Sequence, residues 1–288
     1  MPTPREVKKR IRTVRSTARV TKAMEMVAAA KLRRAQQRVE QAKPYALKMD
    51  EMLGHLAAAS TTEIAHPYFE EREVKRKTLV IIASDRGLCG SFNTNVFRMA
   101  NQWLDENQGT EVEIVAIGKR VRDYYRHRRW PVFEYFGDWG GMLDYDRARE
   151  IVTLLTGRFT AADTDEINLV FTRFLSTVRY RIVLDPYLPV ARPEVTGGNG
   201  AAREYIFEPS SDDIYAALMP AYTTTKMATA LAESFASEHG SRMMAMTNAT
   251  RNAGEMADAL TLEFNKARQA QITKELLEVV SGAEALRG

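Results

Sequence analysis

An α/β fold is expected, with two very long terminal helices and a compact middle domain between them. Three observations carry this: a 3.5-residue apolar period over residues 4–59, a second such stripe over 211–288, and short β-branched runs alternating with helical segments in between. The domain boundaries read as 1–60, 61–209 and 210–288.

In the first segment the stripe runs Val7, Ile11, Val14, Ala18, Thr21, Glu25, Ala28, Leu32, Ala35, Val39, Ala42, Ala46, Met49, Leu53 and Leu56. Thirteen of these fifteen positions are apolar against 45% of the whole chain, so a coiled-coil seam is indicated. The many alanines let a partner backbone approach closely. Pro44 removes one backbone hydrogen bond and is expected to kink the helix.

Between Lys77 and Phe207 the period changes. The run Thr78–Ala83 is continuous, β-branched and apolar, as a strand covered on both faces requires. After the turn Ser84–Ser91, a helix is expected over Phe92–Asn107, a strand over Glu113–Ile117, a basic aromatic helix around Arg120–Arg129, and a strand over Val132–Phe136. A helix over Tyr145–Phe159 and strands over Ile167–Arg173 and Tyr180–Leu184 follow. Such alternation predicts a parallel-rich, Rossmann-like α/β layer. Pro186–Ala202, rich in proline and glycine, reads as a mobile loop.

The last segment carries the stripe Ile214, Leu218, Ala221, Thr225, Ala228, Ala232, Phe235, His239, Arg242, Met246, Ala249, Ala253, Met256 and Leu260. Beyond Leu260 it changes phase, to Phe264, Ala267, Ile272, Leu276, Val279 and Val280. The proline-free run from Ala221 to about Ala285 would span roughly 100 Å, wider than one globular domain. The two ends therefore meet as a two-helix stalk.

Composition narrows the function classes. No apolar run approaches bilayer length. One cysteine, Cys89, permits neither an internal disulfide nor a multi-thiol metal site, and it reads as a packing residue. Net charge is +4, but residues 1–50 hold fourteen Lys or Arg against four acids, a basic rod. Its Arg-rich start imitates a transit peptide, yet the seam begins at Val7 and runs on unbroken. A solvated face, an acidic partner, nucleic acid or anionic lipid would each suit such a rod.

Chemistry is sparse. The turn Ser84-Asp85-Arg86-Gly87-Leu88-Cys89-Gly90-Ser91 matches neither G-x-x-x-x-G-K-[ST] nor G-x-G-x-x-G, so its glycines are assigned to the turn and not to phosphate. Ser84, Asp85 and Ser91 are expected to shape and cap it. His55, His66, His127 and His239 lack metal-ligand spacing, and His239 reads as a packed or hydrogen-bonded helix residue. No catalytic, cofactor-binding or metal site is expected in the chain on its own.

Three stretches together resemble the γ subunits of the F-type ATP synthases, of bacterial type: Ile11–Arg34 around TKAMEMVAAAK, Ser84–Asn93 (SDRGLCGSFN), and Arg242–Met246 through Asn265–Glu275 to Val280–Ala283. From about Gly109 to Ala202 the likeness is one of pattern. The resemblance implies a rotor: terminal helices in an antiparallel, left-handed coiled coil inside an α/β-subunit hexamer, and the middle domain on the ring of c subunits beside the ε subunit. It implies no catalysis by this chain, no cofactor, no nucleic acid, membrane contact through the c ring alone, and a peripheral place on the cytoplasmic face of the inner membrane. By the same similarity Lys22 and Met24 lie near the acidic β lever. Arg242, Arg268, Gln269, Thr273 and Glu275 would contact β, and Tyr205 and Glu208 would face the c ring and ε. The chloroplast version carries an inserted dithiol switch, which a single cysteine excludes. A nucleic-acid or membrane-surface scaffold and a nucleotide-dependent enzyme are the competing classes.

Overall fold

The computed structural model describes residues 3–59, 66–191 and 211–285. In chain order it comprises α1 (Pro4–Ala59), a short 3-10 turn (Pro67–Phe69), β1 (Arg76–Ile82), α2 (Phe92–Glu106), β2 (Glu111–Ile117), α3 (Lys119–Tyr125), β3 (Val132–Phe136), α4 (Tyr145–Thr160), β4 (Glu166–Ser176), β5 (Arg179–Leu188) and α5 (Ser211–Ala285). The chain divides into two compact units, Met1–Val27 with Met243–Gly288, and Ala28–Arg242.

The larger unit is built on a five-stranded sheet of order β3-β2-β1-β4-β5. The first four strands are parallel and β5 returns antiparallel to β4. Alternation along each strand divides the core. Val80, Ile82, Val115, Ile117, Leu169 and Phe171 face α4, α5 and the end of α1, whereas Leu79, Ile81, Ile114, Ala116 and Val170 face α2 and α3. Both sets are essentially inaccessible, which explains why β1 reads as an unbroken apolar run. Each such Val, Leu or Ile contributes about 1.5–3 kcal/mol through burial.

Two expectations about elements need correction. The basic helix α3 stops at Tyr125, because Trp130-Pro131 follows, the residue before a proline is pushed out of the α region, and β3 must begin at Val132. Strand β5 continues through Pro186 to Leu188, and the Val190 N–H donates to Tyr68 O at 2.7 Å, so the start of the expected loop is ordered. Proline is tolerated there because β5 is an edge strand with a register shift opposite. Pro44 lies inside α1 without ending it.

Within the larger unit α1 and α5 run antiparallel. Leu32 lies against Gly240, and Asp50, eighteen residues further along α1, lies beside Tyr222 and Lys226, eighteen and fourteen residues earlier along α5. The stripe expected on α1 is buried or half-buried at all fifteen positions. On α5 the expected narrow seam is too small a description. Residues 234–240 are buried on every side, since β4, the 141 loop and α1 all pack there. Alanine, serine and glycine at Ala236, Ser237 and Gly240 make that closeness possible. An added Cβ at Gly240 would stand 3.0 Å from Thr177 O.

The smaller unit pairs the beginning of α1 with the last part of α5. Val7 and Ile11 are buried, and the Thr21 and Thr250 hydroxyls meet at 2.7 Å. Met256 is 56% exposed, and Ala257 is buried in its place. The phase change therefore falls earlier than expected, where two successive four-residue steps, Ala249 to Ala253 to Ala257, shift the stripe onto Leu260, Phe264 and Ala267.

Candidate functional site

Residues assigned by resemblance fall into three places. In the smaller unit, Lys22 is exposed and ion-paired to Glu25 at 2.9 Å, one helical turn on. Glu25 is thereby satisfied at a seam position that otherwise demands an apolar side chain. Met24 is half-buried beside it, and Val20, Met26 and Val27 project their apolar side chains into solvent. A basic helix face with protruding valine and methionine suits a partner that is both acidic and apolar.

The second place is the end of α5. Every residue from Arg268 to Ala283 is exposed. Arg268, Gln269, Thr273 and Glu275 lie here. Thr273 Oγ1 donates to Gln269 O at 3.0 Å, and Gln271 donates to Glu275 at 2.8 Å. Ile272, Leu276, Leu277, Val279 and Val280 are 45–69% exposed in the same stretch. The spacing 272, 276, 279, 283 continues the coiled-coil stripe with no second helix against it among the described residues. Five bare large apolar side chains on one short helical stretch are a patch suited to contact with another surface.

The third place lies in the larger unit, where α5 grips the turn after β1. Arg242 is not a free surface cation. Its guanidinium pairs with Glu238 at 2.6 Å and donates to Arg86 O at 3.1 Å and Gly87 O at 3.2 Å. Ser241 Oγ donates to Cys89 O at 2.6 Å. From the turn's side, Ser84 Oγ donates to Arg86 O at 2.6 Å, and the Asn93 amide donates to Cys89 Sγ at 3.3 Å. Asp85 accepts the N–H groups of Lys119, Asp138 and Trp139 at 2.8–3.2 Å, so it caps α3 and the loop after β3. Ser91 precedes α2 but makes no side-chain cap, because its hydroxyl is engaged with Asn95 and Tyr180 instead.

The electrostatics of this junction are structural. Burial pushes Glu238 up from the usual carboxylate range, and the Arg242 guanidinium opposes that shift. Burial likewise raises the Cys89 thiol, which keeps it protonated and unreactive. His239 is held down at about 4, by burial first, with Arg242 and Lys31 adding to it. It is neutral at pH 7, and its Nε2–H donates to Gly141 O at 2.9 Å. Among the described residues no cluster of His, Cys, Asp or Glu has the arrangement of a metal site.

Tyr205 and Glu208 lie outside the described residues. Glu238 and the serines at 234, 237 and 241 were not legible as functional positions. The one available signal was the Glu-to-Arg spacing of four at 238 and 242, which also occurs on ordinary solvated helices.

The comparisons agree over the whole chain. A family profile described as ATP synthase matches residues 3–286. The chain is 44% identical over 283 residues to the ATP synthase gamma chain of Moorella thermoacetica, covering 98% of this chain and 99% of the relative. It is 45% identical over 287 residues to that of Desulforamulus reducens, covering 99% and 100%. Among solved structures, a chain of the Euglena gracilis mitochondrial ATP synthase (OSCP/F1/c-ring) aligns with a TM-score of 0.69 at 20% identity, covering 98% of this chain and 94% of that one. A chain of the Tetrahymena thermophila mitochondrial ATP synthase central stalk and c ring aligns with a TM-score of 0.60 at 24% identity, covering 80% and 99%. With its seam, its SDRGLCGSFN turn and its bare helix end in place, the chain belongs to the ATP synthase gamma chain family.

Proposed function

We propose that this chain is the central rotor subunit of an F-type ATP synthase, which transmits torque between a membrane c ring and a catalytic hexamer of α and β subunits. The observation that carries the reading is the end of α5, where the exposed apolar stripe from Ile272 to Val280 continues beyond the paired helices. A lone helical stretch of that length is marginal in water and is stabilised by a surrounding surface. A sleeve formed by the hexamer is such a surface. The family of the chain and its likeness to central-stalk chains support the same reading.

On this reading the chain performs no catalysis itself. Residues 1–60 and 210–288 form the shaft and 61–209 the head, with ε and the c ring at its foot, where Tyr205 and Glu208 belong. Lys22, Met24, Arg268, Gln269, Thr273 and Glu275 meet β-subunit loops, the charged ones through exposed, screened contacts worth about 0–1 kcal/mol each. Such contacts release as readily as they form, and a turning shaft needs that. Arg242 serves the coupling path from within, by fastening α5 to the turn after β1. No helix of the described residues is long and apolar enough to cross a membrane, which fits attachment through partners at the cytoplasmic face.

Co-expression with α and β subunits tests the proposal. One copy of the chain is expected in a purified, ATP-hydrolysing hexamer, while the chain alone hydrolyses no ATP. Turnover by the isolated chain, or a hexamer that excludes it, would overturn the assignment.

A further inference from the structure

A cavity of about 300 Å³ opens between the Lys31–Gln41 stretch of α1, the loop at Gly141–Leu143, and α5. Its floor is apolar, made by Ala232, Phe235 and Leu143, and its rim carries Lys31, Arg34 and Arg38. No carboxylate lines it. The spacing 31, 34, 38 sets all three cations on one face of α1. Two of them are fixed by backbone: Lys31 Nζ donates to Gly140 O at 2.8 Å, and the Arg38 guanidinium donates to Leu143 O. Each keeps further N–H groups beyond that bond. Arg34 makes no hydrogen bond or ion pair among the described residues.

Three like charges around one small cavity repel one another, and an oxyanion placed among them reverses the sign of the interaction. Guanidinium forks match carboxylate and phosphate oxygens two at a time. The volume lies at the lower end of small-molecule sites, with room for an organic body beside the charged head, and Phe235 offers that body an apolar wall.

We propose that this cavity is a binding site for a small organic oxyanion, whose phosphate or carboxylate head is held by Lys31, Arg34 and Arg38 while its apolar body rests on Phe235 and Leu143. The site stands independently of the rotor assignment. Its occupant would tie α1, the 140–143 loop and α5 together within the larger unit.

Titration calorimetry on the full chain at low salt tests this with phenyl phosphate, benzoate, inorganic phosphate and benzyl alcohol. Saturable one-site binding of phenyl phosphate or benzoate is expected, the tighter of the two identifying the head group. Inorganic phosphate binds more weakly, and benzyl alcohol does not bind. Arg34→Gln weakens binding by about tenfold or more, as loss of a charged hydrogen bond does, and leaves the unfolding midpoint unchanged. Arg12→Gln/Arg15→Gln, on a distant stretch of α1, leaves binding intact. The proposal fails if neither organic anion binds saturably, or if Arg34→Gln binds as well as the parent. Equal weakening by Arg12→Gln/Arg15→Gln would also overturn it, since attraction would then be diffuse. Equal affinity for inorganic phosphate and phenyl phosphate would overturn the apolar part of the site.

Discussion

Glu238 and Arg242 are paired at 2.6 Å with both side chains largely buried, and Arg242 Nη2 donates to the carbonyls of Arg86 and Gly87. The pair therefore joins α5 to a turn more than 150 residues away in sequence. Removing one member strands the other. Arg242→Ala is expected to cost about 3 kcal/mol in urea unfolding at pH 8, since a buried carboxylate is left without its cation. Burial already raises Glu238, and loss of Arg242 raises it further, so the carboxyl neutralises more easily in the variant. The deficit should accordingly narrow at pH 5. A deficit independent of pH would mean that Glu238 is not the stranded group.

Glu233 gives a second pH effect of known sign. Burial pushes it up to about 7, partly opposed by Arg173 at 3.7 Å and by Lys43. A carboxyl raised in the folded state favours folding when protonated. The contribution is full below its ordinary value near 4.5 and is lost as pH rises through 7. Glu233→Gln keeps the neutral shape at all pH values. It should stabilise the chain by about 1 kcal/mol at pH 8, allowing for partial exposure, and have little effect at pH 4.5. Urea midpoints at the two pH values decide the matter.

Gly118 shows what backbone geometry adds. Its φ is +99°, and a Cβ there would stand 2.2 Å from Ala83 O. The glycine lets the chain leave β2 and enter α3 directly beside β1. Gly118→Ala should cost at least about 2 kcal/mol, read from the thermal or urea transition of the full chain. A neutral outcome would show that the β1–β2 edge relaxes freely.

Much of this was legible in the sequence because it depends on period. The fifteen seam positions of α1 and the alternation of β1 follow from which residues must avoid water, and local spacing records that. The early phase shift at Ala257 was not legible, since Met256 is the more apolar residue at the neighbouring position and only the partner's geometry selects between them. Likewise, the end of α3 depends on Pro131 and on where β3 must pair, and the all-round burial of α5 near Ala236 depends on three distant segments converging. The site residues divide the same way. Lys22 and Arg268 read as exposed cations and are exposed, whereas Arg242 stands on the apolar stripe as an exception to it, and only the fold shows that carbonyls from a remote turn enclose it.

Met24 occupies a half-buried position next to the Lys22–Glu25 pair. Met24→Lys would introduce a third charge there. Its ammonium can reach solvent along a flexible stem, so folding should change by no more than about 1 kcal/mol. If Met24 meets an acidic β-subunit loop, as proposed above, the new cation would hold that loop too firmly in the assembled enzyme. ATP-driven ion pumping by reconstituted vesicles should fall more than ATP hydrolysis or assembly does. Equal loss of all three would point to a folding defect instead.

The exposed end of α5 allows a test that separates stability from partnership. Leu276, Val279 and Val280 are each at least 60% exposed, so their side chains contribute little to folding of the chain itself. Leu276→Ser/Val279→Ser/Val280→Ser should change the unfolding free energy of the isolated chain, read by urea titration, by less than about 0.5 kcal/mol, as surface substitutions do. The same variant should lose affinity for the α/β hexamer, because covering about three apolar side chains is worth several kcal/mol in a well-packed sleeve. Competition between parent and variant chains for a limiting amount of hexamer reads this directly. Equal incorporation, with equal ATP hydrolysis, would mean that the bare stripe is not the surface the hexamer surrounds.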